Sequence, residues 1–161
     1  MNDLMTTVYD VPQDKLVQLA AEKLKKVKGI APPKWAAFVK GGVANELPPQ
    51  QEDWWWVRCA SVLRQVYLHG PVGVSRLRTY YGGKRRRGVK PPHFRKGSGK
   101  IVREVLQQLE RAGLVIKTKK GRKISPKGQA FLDNVAHELK LMLESEGAKT
   151  AEEVKAVAGE A

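Results

Sequence analysis

The chain has a single cysteine, Cys59, which rules out a disulfide framework and a cysteine-rich zinc site. Its setting in the apolar run Trp-Val-Arg-Cys-Ala-Ser-Val-Leu suits a small buried hydrophobe better than a reactive thiol. Histidine is almost as scarce. His69, His93 and His137 fall in three separate segments with no Cys or acid nearby at metal-ligand spacing, so neither a metal site nor a cofactor is expected. Nowhere do 18 apolar residues follow one another. The opening MNDLMTTVYDVPQ has neither a basic leader nor an apolar signal core, so a cytoplasmic protein with no membrane partner is expected.

The most informative scarcity is that of acids in mid-chain. Between Arg58 and Lys127, 20 Lys and Arg stand against only Glu104 and Glu110, a net +18. The remaining 10 basic and 14 acidic residues leave the flanks at −4, so one contiguous stretch supplies the whole net charge of +14. Residues 84 to 100 hold eight Lys or Arg and no acid. Like charges at that density repel unless a polyanion neutralises them. A hydrophobic content of 42% nevertheless excludes disorder throughout, and 161 residues suffice for one domain with a core.

Periodicity places the elements. A first helix is expected from near Pro12, with Asp14 in its first turn and Lys23, Lys25, Lys26 and Lys28 at its end before Gly29. Pro32 and Pro33 open a short helix with Trp35, Phe38 and Val39, and Glu46 to Gln51 reads as a linker. From Glu52 to His69 apolar residues, including Trp54, Trp55 and Trp56, cover most of a helix, which belongs at the centre of a fold. The Trp triplet invites a stacking role, yet large aromatics at helical spacing serve a core first.

A short helix from Ser75 to Tyr80, a basic loop over 82–100 and a helix from Gly99 to Ala112 follow. Ser98 or Gly97 is expected to cap that helix, with Ile101, Val102, Val105, Leu106 and Leu109 on its inner side. Leu114–Thr118 and Arg122–Ile124 flank Lys119-Lys120-Gly121 as a small hairpin. Ser125-Pro126 starts a last helix with Phe131, Val135, Leu139 and Met142 on one stripe. The expected fold is mainly α: a winged-helix-like bundle of about five to six helices around a central apolar helix, with one small β-hairpin. Residues 1–146 form a single RNA-binding domain in this reading, and 147–161 a flexible or frayed helical tail.

Catalysis finds little support. Gly97-Ser98-Gly99-Lys100 resembles the end of a phosphate-binding loop, but Phe94 stands where its first Gly belongs and Ile101 where Ser or Thr would hold magnesium. No acid and base pair suggests itself, and no enzyme is expected. Candidate RNA contacts are Lys84, Arg85, Arg86, Arg87, Lys90, His93, Arg95, Lys96, Ser98 and Lys100 in and around the loop, and Lys117, Lys119, Lys120, Arg122 and Lys123 in the hairpin. Tyr80, Tyr81 and Phe94 either stack on bases or anchor the loop to the core. Arg58 and Arg64 either contact RNA or pair internally with Glu52 or Asp53.

A helix-turn-helix DNA reader joins its helices by about three to four residues. Here roughly 16 to 18 intervene, which suits folded RNA better than B-DNA. A winged-helix DNA-binding transcription regulator is the alternative, and a cationic module gripping an acidic protein the third.

An ordered set of short matches carries a specific resemblance. It includes Asp53-Trp54, Arg58, Ala60-Ser61, Arg64, Tyr67-Leu68, Gly73-Val74, Tyr81-Gly82-Gly83, Arg87-Gly88-Val89, His93-Phe94 and Gly97-Ser98. It continues through Val105-Leu106-Gln107, Leu109-Glu110, Gly121-Arg122-Lys123 and Pro126-Lys127-Gly128-Gln129. Over about residues 8 to 140 this pattern resembles the S-nineteen-e family of small-subunit ribosomal proteins of archaea and eukaryotes. The resemblance implies a winged-helix-like protein in the head of the small subunit. Its implied partners are small-subunit ribosomal RNA and neighbouring head proteins, with a monomer when free and a role in subunit assembly or maturation. It places the family's central-helix arginines on Arg58 and Arg64 and its basic loop on Lys84 to Lys100. Cys59 stands for a usual Ala, Pro71 follows Gly70 where a second Gly is common, and the tail after Glu144 has no counterpart.

Overall fold

A computed structural model describes residues 5–159. Its α-helices are α1 (Gln13–Leu24), α2 (Trp54–His69), α3 (Val74–Tyr80), α4 (Gly99–Arg111) and α5 (Pro126–Gly159). Two antiparallel hairpins complete it: β1 (Gly83–Arg87) with β2 (Lys90–Arg95), and β3 (Val115–Thr118) with β4 (Gly121–Ile124). The protein is therefore mainly α and winged-helix-like. None of the described helices is long and apolar enough to cross a membrane.

The strongly apolar sequence of α2 dictates its place. Trp55, Cys59, Ala60, Val62, Leu63 and Val66 are buried against α1, α4 and α5. Trp55 alone of the Trp triplet is fully enclosed; its indole Nε1 donates to Gln108 Oε1 at 3.0 Å, and Gln108 Nε2 donates to the Ala31 carbonyl at 2.8 Å. Those bonds satisfy polar groups that would otherwise cost about 1–3 kcal/mol each when buried. Trp56 is half-buried and donates to the Ile30 carbonyl. Burial pushes the Cys59 thiol up to about 12, consistent with an inert core residue.

The wing β3–β4 is locked to the core. Val115 is buried, and Val72 and Arg122 exchange both backbone hydrogen bonds, at 3.0 and 2.9 Å. Ser125 Oγ donates to the Gly113 carbonyl and accepts the Gly128 N–H, which starts α5 against the end of α4. Gly128 has no room for a side chain: a Cβ there would lie 2.1 Å from the Leu114 carbonyl oxygen.

Several expectations change. The basic loop over 82–100 is in large part a second hairpin, in addition to the one expected in the wing. Four successive cations and the pair Pro91-Pro92 carry no strand signal, but Pro is tolerated in a ribbon with free edges. On α5 the buried stripe is Gly128, Leu132, Val135, Ala136 and Leu139, while Met142 is half exposed and Phe131 only half-buried. Packing against α1 and the 3₁₀ turn Val8–Asp10 selects that face. The expectation of a flexible or frayed helical tail is not among those that change: residues 147–159 continue α5 as exposed helix, and 160 and 161 lie outside the described residues.

Candidate nucleic-acid interface

The expected contacts fall in three places: the cationic β1–β2 arm, a groove of mixed charge beside α2, and the cationic wing with the outer side of α4. The arm is rooted firmly although its strands touch no core. Ser98 N–H donates to the Gly41 carbonyl at 2.9 Å, Gly97 N–H to the Arg78 carbonyl at 2.8 Å, and Arg78 Nε back to the Gly97 carbonyl at 2.9 Å. At Gly82 a Cβ would fall 2.5 Å from the Arg95 carbonyl oxygen, so the strand exit closes only on glycine. Beyond that root Lys84, Arg85, Arg86, Arg87, Lys90, His93, Arg95 and Lys96 are all exposed. Among the described residues none of these cations lies within ion-pair distance of a carboxylate. Lys96 Nζ reaches only the Ser75 hydroxyl, at 3.4 Å.

Two expected contacts on this side also serve the fold. Ser98 Oγ accepts the Ile101 N–H and caps α4. Lys100 Nζ sits 4.8 Å from the centroid of the Trp35 ring, a cation–π contact that holds the ammonium against the protein.

The groove beside α2, of ≈ 750 Å³, is lined by Arg58, Ser61 and Arg64 from one face of α2, with Tyr80 and Tyr81 alongside, and also by the carboxylates Asp14, Glu22 and Asp53, so its charge is mixed. The internal ion pairs expected of Arg58 and Arg64 with Glu52 or Asp53 are absent among the described residues; Asp53 instead binds Lys25 at 3.1 Å. Arg58 stacks its guanidinium 4.1 Å from the centroid of Tyr81, whose hydroxyl is 2.7 Å from Ser61 Oγ. Burial lowers the Arg58 pKa below its ordinary value, and burial pushes the Tyr81 phenol up to about 12. Arg64 Nε is buried with no hydrogen-bond partner.

On the wing Lys117, Lys119, Lys120 and Lys123 are exposed. Arg122 is not free: its Nε donates to Glu110 Oε2 at 3.2 Å, and its backbone holds Val72. Arg122 is accordingly a wing anchor before it is a ligand contact. Gln107 and Arg111 were absent from the expected contacts, yet they line a recess of ≈ 420 Å³ together with Glu110, Lys117 and Arg122. Their signal was the outward stripe Arg103, Gln107 and Arg111 at four-residue spacing on α4. The three histidines remain apart: His93 is on the arm, His69 ends α2, and His137 Nδ1 lies 3.3 Å from Thr6 Oγ1.

Comparison with known proteins follows the same outline. The family model described as Ribosomal protein S19e matches residues 7–142. A protein of Aeropyrum pernix named small ribosomal subunit protein eS19 is 48% identical over 138 residues, covering 84% of this chain and 90% of that one. Proteins of the same name from Thermoplasma volcanium and Haloarcula marismortui are 48% and 46% identical over 135 and 140 residues. Each covers 84% of this chain, and 90% and 92% of the respective relative.

Proposed function

This chain belongs to the Ribosomal protein S19e family, and from that membership we propose that it is a structural constituent of the small ribosomal subunit. Its partner is small-subunit ribosomal RNA, held in the head of the subunit beside neighbouring head proteins. Residues 1–146 act as one RNA-binding domain, monomeric before assembly, and the protein's work is subunit assembly or maturation rather than catalysis.

The observation that carries this reading is the family match over residues 7–142, and beside it the arm exposes Lys84, Arg85, Arg86, Arg87, Lys90, Arg95 and Lys96 with no carboxylate within ion-pair distance among the described residues. Exposed cations at this density repel one another, and RNA phosphates neutralise them. The wing adds the exposed cations Lys117, Lys119, Lys120 and Lys123. Phosphate contacts of this kind set position and orientation on a folded RNA without reading its bases.

Sedimentation of a tagged copy from its own cells through a magnesium gradient, with and without RNase, tests the proposal. The protein should travel with the small subunit and the intact ribosome, and RNase should release it. Migration near the top, or with chromosomal DNA, would transfer the winged-helix order to a DNA-binding regulator. Binding that survives RNase would point to an acidic protein partner.

A further inference from the structure

The β1–β2 arm has charge on both of its faces. In a ribbon successive side chains point to opposite faces, and directly paired residues share one. The register pairs Gly83 with Arg95, Lys84 with Phe94, Arg85 with His93 and Arg87 with Lys90. Alternation along β1 puts Arg85 and Arg87 on one face with Lys90, His93 and Arg95, and Lys84 and Arg86 on the other with Phe94. The register shift between Arg85 and Arg87 is taken up on β2, where Pro91 and Pro92 together stand opposite Arg86. Every residue from Lys84 to Lys96 is exposed, so neither face is covered by the protein.

A ribbon lying flat on one RNA strand would have half of these cations neutralised and the other half crowded together in water. A single basic face would serve that geometry, and a cationic opposite face would add only self-repulsion. The tip adds a second asymmetry. Val89, between Gly88 at φ +68° and Lys90, is fully exposed and touches nothing apolar in its own chain. An isolated two-stranded ribbon is marginal in water, and here it is held by its root alone.

Resting on the RNA-binding reading above, we propose that the arm enters a cleft between two RNA backbone segments. Its Arg85 and Arg95 face neutralises one segment, its Lys84 and Arg86 face the other, and Val89 meets bases at the floor. Strands of this length reach roughly 20 Å, enough to pass between two backbones and arrive at base edges. A regular A-form major groove is too deep and narrow to admit side chains, so the cleft is an opened groove or a junction of two helices.

The test uses the full chain assembled in its own cells. Hydroxyl-radical cleavage of RNA in purified small subunits, with and without the wild-type protein, should show two separate protected backbone segments assigned to the arm. The double variants Arg85→Glu with Arg95→Glu, and Lys84→Glu with Arg86→Glu, should each reduce incorporation about tenfold or more. Subunits that retain either variant should lose a different one of the two protections. Val89→Asp should expose the floor bases to chemical modification while leaving both backbone protections. Resistance of buried Cys59 to a thiol reagent checks that each variant is folded.

One continuous protected segment, or normal incorporation after reversal of either face, would overturn the cleft. Wild-type protein present in the subunit with a single protection defeats only this inference. Its absence from the subunit defeats the ribosomal reading itself.

Discussion

The two hairpins are built alike and situated oppositely. Each is a short antiparallel pair closed by a tight turn and rich in Lys and Arg. The wing β3–β4 buries Val115, half-buries Ile124, shares backbone hydrogen bonds with Val72 and sets Arg122 against Glu110. The arm β1–β2 buries nothing beyond its root and has no carboxylate within ion-pair distance among the described residues. The same local structure is thus tied into the core in one place and stands clear of it in the other. What separates them is the end of each ribbon nearest the core: Val115 pairs with Ile124 there in the wing, whereas the arm has Gly83 opposite Arg95 and carries four successive cations over 84–87.

That contrast can be broken from either side. The largest effect is expected from Arg85→Gln, Arg86→Gln and Arg87→Gln combined. Losing three phosphate contacts should flatten the dependence of log binding constant on log salt by about 2 to 3 units, while the melting temperature stays put. Filter binding to the small-subunit ribosomal RNA across a salt series, beside a thermal melt, measures both. A melting shift as large as the affinity loss would mean that the arm is part of the folding unit after all.

Next in size is Gly128→Ala, which strikes the wing's root. A Cβ 2.1 Å from the Leu114 carbonyl oxygen forces the first turn of α5 away from the wing, at a cost of about 3 kcal/mol. Denaturant unfolding should show the loss, and Cys59 should become reactive at correspondingly lower denaturant. Smaller again is Arg122→Gln, because an ion pair with a partly exposed carboxylate contributes less than about 1 kcal/mol. If Arg122 is a wing anchor, that variant should move the melting midpoint slightly and the salt slope by less than one unit.

The smallest effect concerns neither hairpin and so calibrates both. The Thr7 backbone N–H, at 2.7 Å, and the Thr7 hydroxyl, at 3.0 Å, donate to Asp10, holding its carboxyl below the ordinary carboxylate range. A depressed folded-state pKa contributes stability above the unfolded value of about 3.9 and loses it as pH falls through the folded value. Melting temperature measured against pH should therefore bend less below pH ~4 in Asp10→Asn than in the wild type.

Much of this architecture was legible before any coordinates. Apolar residues at three- and four-residue spacing mark α4 correctly, because helix periodicity is a local property that each turn repeats. The density of Trp, Val and Leu in α2 marks the central helix for the same reason. The arm gives no strand signal in sequence, because its strand character comes from pairing across a turn and from a root tied to Gly41, not from its own alternation. Arg58 and Arg64 illustrate another limit. Their spacing shows a shared face of α2, but only the positions of Tyr81, Asp53 and Lys25 reveal that one stacks, the other lacks a partner and the expected carboxylate is already engaged.

By itself, then, the sequence determined the partition of charge, the central apolar helix and the order of the winged-helix elements. These follow from composition and short-range periodicity, which do not depend on what folds against what. The tertiary structure decided which cations face outward, which are spent within the protein, which face of α5 is buried, and that the basic segment stands out as a two-faced arm. Those outcomes rest on contacts such as Val72 with Arg122 and Gly41 with Ser98, whose partners lie tens of residues apart and meet only when the chain is folded.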